Sequence, residues 1–272
     1  MNIAQQIING IVLGSGYACI ALGWTILLGV ARLVNFAHGQ LYMLGAFIAW
    51  YAITRLGLSY PLAIVVAAVF LALLGALMQG AMMRLVMTQN LTSLMIVTLG
   101  LGYVIQGGSA LIFGGNPHTF PGTLARAKID IGPLWFTCQD VLVLVVTLAL
   151  YGAVWWFTQK TRYGSVIRAV AEDSKLAGLF GINAQVVYLL VFMFECAAVA
   201  IGAALVAPRS PILTSMGFNE VIMTFVVVVV GGIGSIGGAL AARLGLGLFT
   251  AFFRAFLAHA YTTPAAFALL FL

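Results

Sequence analysis

The stretch IINGIVLGSGYACIALGWTILLGV, residues 7–30, contains no charged side chain, and its reading decides the class of fold. A helix needs about 20 mostly apolar residues to cross roughly 30 Å of hydrocarbon, and this run is long enough. It exceeds the apolar core of a secretory signal, no basic residue precedes it, and the first charge is Arg32. It therefore reads as a retained spanning helix with its N-terminus outside and Arg32 inside. The same length rule places further spans at about 39–54, 61–85, 92–112, 141–157 and 183–207.

Composition agrees. The chain of 272 residues is 63% hydrophobic and 7% charged, with a mean hydropathy of +1.14. Soluble domains carry about a quarter charged residues, so a water-facing surface cannot be built from this inventory. A cytosolic enzyme, a secreted disulfide scaffold and a nucleic-acid binder are all excluded. The net charge of +6 reflects basic residues anchoring cytoplasmic loops rather than a phosphate-binding surface. Cys19, Cys138 and Cys196 lie far apart and form neither a metal pair nor a disulfide framework. The expected architecture is an all-α polytopic membrane protein of about eight transmembrane helices plus broken or half-span segments.

Three polar connections divide the spans. Residues 114–139 carry Pro117, Pro121, Pro133, Arg126, Lys128 and Asp130, a helix-breaking mixture that reads as the main external loop. Residues 160–183 hold Lys160, Arg162, Arg168 and Lys175, the densest basic cluster, which the positive-inside rule assigns to the cytoplasm. Residues 208–219 are external by alternation. Internal Arg32 and Arg84, with that cluster, outnumber external Arg55, Arg126, Lys128 and Arg209.

Two interruptions stand out. After Glu220, the apolar segment 221–230 is too short to span and runs into Gly231-Gly232-Ile233-Gly234-Ser235-Ile236-Gly237-Gly238, so a half-span is expected there. Residues 30–40, containing Asn35, His38, Gly39 and Gln40, separate two apolar runs in the first half. Irregular backbone at membrane depth persists where it is buried in protein or lines a cavity, so such breaks point to transport pathways.

Gly232-x-Gly234-x-x-Gly237 matches a dinucleotide fingerprint, but no acidic residue follows Glu220 to hold a ribose. In a membrane these glycines permit close helix approach and bending. No phosphate-binding GxxxxGK[ST] loop is present, so ATP-driven transport would need a motor on another polypeptide. His38, His118 and His259 have no carboxylates at ligand spacing, and no metal, cofactor or catalytic set is expected. Glu195 is the carboxylate nearest the middle of a span, where an ionisable group is costly. Its preferred reading is a protonated or hydrogen-bonded packing element; the alternative is contact with a substrate ammonium. With Glu195 otherwise alone at depth, the chain has little means of coupling to protons.

In the cytoplasmic segment, Ser165 can cap a short helix with Ile167, Val170 and Ala171 on one face. Asp173 or Ser174 can cap a second, with Leu176, Leu179 and Phe180 apolar and Gly181 ending it. The pattern fits a docking surface and an ordinary connector equally.

Three stretches carry a family resemblance. They are Asn35-Phe36-Ala37-His38-Gly39-Gln40 with Tyr42-Met43-Leu44-Gly45-Ala46; Arg168-Ala169-Val170-Ala171-Glu172-Asp173 with Ala177 and Gly181-Ile182-Asn183; and the glycine run 231–238. Together, in order, they resemble the permeases of high-affinity branched-chain amino acid ABC importers, of the LivH type. The resemblance implies one transmembrane permease domain over residues 1–272 in the cell (inner) membrane, with a cytoplasmic coupling loop at about 160–183. It implies a second homologous permease subunit (LivM type), two cytoplasmic ATP-binding subunits and a periplasmic substrate-binding protein. Arg168, Glu172, Asp173, Leu176, Leu179, Phe180 and Gly181 would form the ATPase-coupling loop. Asn35, His38, Gly39, Gln40, Gly232, Gly234, Ser235 and Gly237, with Glu195, would line or gate the substrate path. Related permeases carrying urea, short amides or aromatic acids leave the solute open, and the other readings are an ATP-independent transporter or channel and a structural membrane subunit. The family usually continues to a basic tail, whereas the run from Pro264 to Leu272 is too short to span, so a truncated final helix is expected.

Overall fold

The computed structural model describes residues 3–86, 91–121, 128–131 and 134–256. The charge-free run at the start forms a single helix, α1 (Ile3–Ala31), and the later apolar runs follow suit: α2 (His38–Thr54), α3 (Tyr60–Val86), α4 (Leu91–Phe113), α5 (Cys138–Lys160), α8 (Ala184–Val206), α9 (Met216–Gly231) and α10 (Ile236–Phe256). Two short helices, α6 (Arg162–Glu172) and α7 (Ser174–Leu179), lie between α5 and α8. Among the described residues, six helices are long and apolar enough to cross a membrane. The shorter α2 and α9, of 17 and 16 residues, reach about 25 Å each, so the all-α polytopic class holds with six full-length spans among the described residues where about eight were expected.

Two boundaries differ from expectation. The half-span before the glycine run begins at Met216 rather than 221, so Glu220 lies inside α9 instead of preceding it. Its charge is tolerated there because Arg243 of α10 reaches it, Nη2 to Oε2 at 3.3 Å. The external loop is also more ordered than its prolines imply: β1 (Lys128–Ile131) and β2 (Leu134–Thr137) pair antiparallel. Gln5 of α1 fastens this hairpin, accepting from the Trp135 amide at 3.0 Å and donating to its carbonyl at 2.8 Å. Thr137 then opens α5 through a reciprocal capping box with Asp140. Arg126, His259 and the run from Pro264 lie outside the described residues.

The core centres on α1, whose spanning window is 78% buried, against 67% for α8 and 28% or less for the other long spans. Lipid supplies no hydrophobic drive between helices, so small residues and cross-helix hydrogen bonds do the fastening. Gly10 and Gly14 of α1 meet Gly247 and Leu248 of α10 backbone to backbone. On the other side, Thr147 and Tyr151 of α5 donate to the Ser15 and Ala18 carbonyls at 3.0 Å each. Near the hairpin end, Gln139 donates to the Leu205 carbonyl and the Tyr60 hydroxyl, tying α5, α8 and α3 together.

Candidate functional site

The break between α1 and α2 occurs where Arg32 adopts a left-handed backbone, φ 53°. Residues 33–36 are irregular before α2 starts at His38. Asn35 shapes this turn: its side-chain oxygen accepts from the Ala37 amide at 3.0 Å. The Asn35 amide nitrogen donates to both Glu195 oxygens, at 3.2 and 3.3 Å. His38 Nδ1 meets Glu195 Oε1 at 2.9 Å, and its ring stacks on Trp24 with centroids 5.0 Å apart. Asn35, His38 and Glu195 have no exposed surface. Three of the residues singled out from sequence thus form one buried cluster, joining the irregular segment to the middle of α8. Both Glu195 oxygens are occupied within the protein.

Gly39 and Gln40 continue from this cluster into the first turn of α2. A Cβ on Gly39 would overlap the carbonyl of Gly217 in α9, so the two short helices cross at a spacing that only glycine allows. The Gln40 side chain is 7% exposed, and its oxygen finds no hydrogen-bond donor among the described residues. The helix start that faces α2 therefore belongs to α9 and the 207–215 connection, not to the glycine run.

The glycine run lies elsewhere. Gly232 and Gly234 take positive φ, 87° and 81°, and Ser235 Oγ accepts from the Gly238 amide to turn α9 into α10. This turn packs Gly234 on Gly29 near the end of α1, and Gly232, Gly234, Ser235 and Gly237 are exposed. They do not join the Asn35–Glu195 cluster.

The expectation that Glu195 is alone at depth is corrected by the Glu220–Arg243 pair, whose side chains are 12% and 5% exposed. Arg243 also lies over the Tyr17 ring, 4.6 Å from its centre. In the sequence Glu220 marks only a boundary, and Arg243 belongs to no motif. The available signal was Arg243, a cation well inside the apolar run of α10 and well separated from Arg254 near its end, the type of residue that rarely occurs without a buried partner. With two buried ionisable pairs, scarcity of charge no longer argues against ion coupling.

In the 160–183 segment, α6 is capped by Thr161 rather than Ser165, its hydroxyl accepting from the Gly164 amide at 3.0 Å. Ser165 sits within the first turn instead. Arg168 folds back onto the Thr158 carbonyl and donates to Ser165 Oγ, pinning α6 against the end of α5. Val170 is buried beneath it. Asp173 caps α7 by accepting from the Lys175 and Leu176 amides at 2.8 and 3.0 Å. Donation from the Leu176 amide above all, and then from Lys175, holds its carboxyl below the usual carboxylate range. Gly181, at φ 79°, ends α7 in a Schellman turn, with Ile182 donating to Ala177 and Gly181 to Gly178. Leu176, Leu179 and Phe180 are 56%, 82% and 85% exposed, an apolar tip held on a capped scaffold; Glu172 is exposed beside them. Arg32 donates to the Ala171 carbonyl at 3.4 Å, which places this tip on the same side as the end of α1.

Apolar spans around buried polar clusters, a broken helix pair and a capped extramembrane helical loop define a polytopic membrane transport subunit. Residues 6–272 match the family described as branched-chain amino acid transport system / permease component, and the chain belongs to that family. It is 31% identical over 281 residues to the high-affinity branched-chain amino acid transport system permease protein BraD of Pseudomonas aeruginosa, covering 98% of this chain and 92% of that one. It is equally 31% identical over 285 residues to the LivH permease protein of Escherichia coli K12, covering 98% and 91%. The galactofuranose transporter permease protein YtfT of the same organism is 26% identical over 67% of this chain and 51% of its own. Among solved structures, the fold is similar to PsaBC from Streptococcus pneumoniae in complex with Fab, at a TM-score of 0.50 and 12% identity, covering 100% of this chain and 92% of that one. The family is that of ABC-importer permeases, so ATPase and substrate-binding partners belong to its general mode of working.

Proposed function

We propose that the chain imports branched-chain or related hydrophobic amino acids across a cell (inner) membrane, beside a second permease of the LivM type. Of two cytoplasmic ATPases in the complex, one docks on α6 and α7, and a periplasmic binding protein delivers the solute on the opposite face. The observation that carries this reading is the exposed tip Leu176, Leu179 and Phe180. Side chains of this kind, presented by a loop with three separate capping devices, fit a groove on a soluble partner better than they fit water. Arg168, Glu172, Asp173 and Gly181 hold the shape of that tip. ATP binding would then shift an inward-open to outward-open equilibrium through differential contact at α7.

Within the membrane, Glu195 acts as the anchor of the irregular segment, with Asn35 and His38 as its fasteners. Gly39, Gln40 and the α9 start form the close crossing beside it. Gly232, Gly234, Ser235 and Gly237 serve as a hinge at the cytoplasmic end of α9 and α10.

The test is the double variant Leu179→Glu/Phe180→Glu, assembled with the ATPases and reconstituted in liposomes. Substrate-stimulated ATP hydrolysis is expected to vanish while membrane insertion stays intact; stimulation at the wild-type level contradicts docking here. An isolated chain that accumulates amino acid on an ion gradient, without any ATPase, would replace the importer reading by secondary transport.

A further inference from the structure

A cavity of about 500 Å³ opens between α1, α2, α9 and α10, roofed by the 210–216 connection. It lies toward the membrane face opposite α6 and α7, and its volume falls within the roughly 300–1,000 Å³ typical of small-ligand sites. Glu220 and Arg243 both line it. Their single contact at 3.3 Å is long and one-pronged, although guanidinium and carboxylate favour two parallel bonds at about 2.7–2.9 Å. The Arg243 Nε–H is buried without an acceptor among the described residues. Tyr17 of α1 and Tyr42 of α2 line it beside the pair. Leu13, Met223 and Leu246 supply an apolar wall.

A buried ion pair in hydrocarbon is expensive and by default marks function. This one is electrically complementary to a zwitterion. We infer that the cavity is a binding site for a free α-amino acid, with Arg243 taking its carboxylate, Glu220 its ammonium, and the apolar wall its side chain. The site rests on the amino acid importer reading and deepens it: the permease itself, not the delivering protein alone, recognises the α-amino acid head group. Insertion of the ligand exchanges one internal ion pair for two external ones and leaves the pocket neutral. The loosely bonded pair can therefore open without stranding a charge, whereas a solute with one charge would leave its opposite unmatched.

The assembled complex in nanodiscs, without binding protein or nucleotide, is titrated with tritiated L-leucine. Saturable binding is expected, displaced by unlabelled leucine but by neither isocaproate, which lacks the ammonium, nor isopentylamine, which lacks the carboxylate. Glu220→Gln is expected to weaken binding about tenfold or more, equivalent to about 1.4 kcal/mol. Met223→Trp fills the cavity while leaving the ion pair in place and is expected to abolish binding, which decides the matter where Glu220→Gln does not insert. Absence of saturable leucine binding, equal displacement by the one-charge analogues, or unchanged binding in Met223→Trp overturns the site. The same complex is assayed with binding protein and ATP in proteoliposomes. Leucine accumulation without binding to the bare complex overturns the site alone. Failure to accumulate any amino acid overturns the importer reading, and the site with it.

Discussion

Replacing Glu195 by leucine strips the buried cluster of its carboxylate acceptor while keeping the position filled. Glu195 has no exposed surface, and its partners are the Asn35 amide at 3.2 and 3.3 Å and His38 Nδ1 at 2.9 Å. Leucine leaves two buried polar groups without partners, each costing about 1–3 kcal/mol, so the loss should be about 2–6 kcal/mol. Glutamine retains one oxygen and strands one group, for a loss of about 1–3 kcal/mol. Thermal unfolding of the solubilised complex should therefore rank wild type above Glu195→Gln and Glu195→Leu lowest. Because Asn35 depends on the same carboxylate, Asn35→Leu combined with Glu195→Leu should cost less than the sum of the two. Transport should fall in parallel, since the irregular segment loses its hold on α8. A Glu195→Leu protein as stable as wild type would refute the anchoring role. So would additivity with Asn35→Leu.

Two further outcomes follow from the geometry. Gly39→Ala forces its new methyl into the Gly217 carbonyl and should cost about 1–3 kcal/mol, with transport lost. Gly100→Ala, which meets nothing within 4 Å, is the control, and equal unfolding temperatures for the two would contradict the tight α2–α9 crossing. The Asp173 cap stabilises α7 while ionised and has its carboxyl pKa depressed in the folded chain. Its contribution is thus present above the ordinary carboxylate pKa and lost as the pH falls through the lower folded value. Amide exchange at Leu176, corrected for intrinsic pH dependence, should accelerate over that fall in wild type and stay flat in Asp173→Asn.

Span positions were legible because lipid imposes a length rule on each segment separately. The limits expected for residues 61–85 and 92–112 fall within one residue of α3 and α4. Pairing between helices was not legible, because an all-apolar run has no polar face to show which side meets which neighbour. Glu220 and Arg243 stand on different helices and meet through a turn whose closure depends on Gly232 and Gly234. The cap of α6 was misplaced by one turn for a related reason: Thr161 and Ser165 are both competent caps, and the end of α5 decides between them. Asn35, His38 and Glu195 were each visible as polar residues in apolar surroundings. Their convergence depends on α1 and α8 packing closely at Gly23, where a side chain would strike the Glu195 backbone.

The glycine-lined seam between α1 and α10 also bears on how the chain is made. α1 leaves the ribosome long before α10, yet its Gly10 and Gly14 face is completed by Gly247 and Leu248. During the intervening synthesis that seam lies open to lipid or to whatever holds nascent helices in the membrane. It closes only when the late helix arrives, so a contact of very long sequence separation governs a late step of assembly. A defect in α10 would consequently surface at the opposite end of the sequence, as an early helix left without its seat.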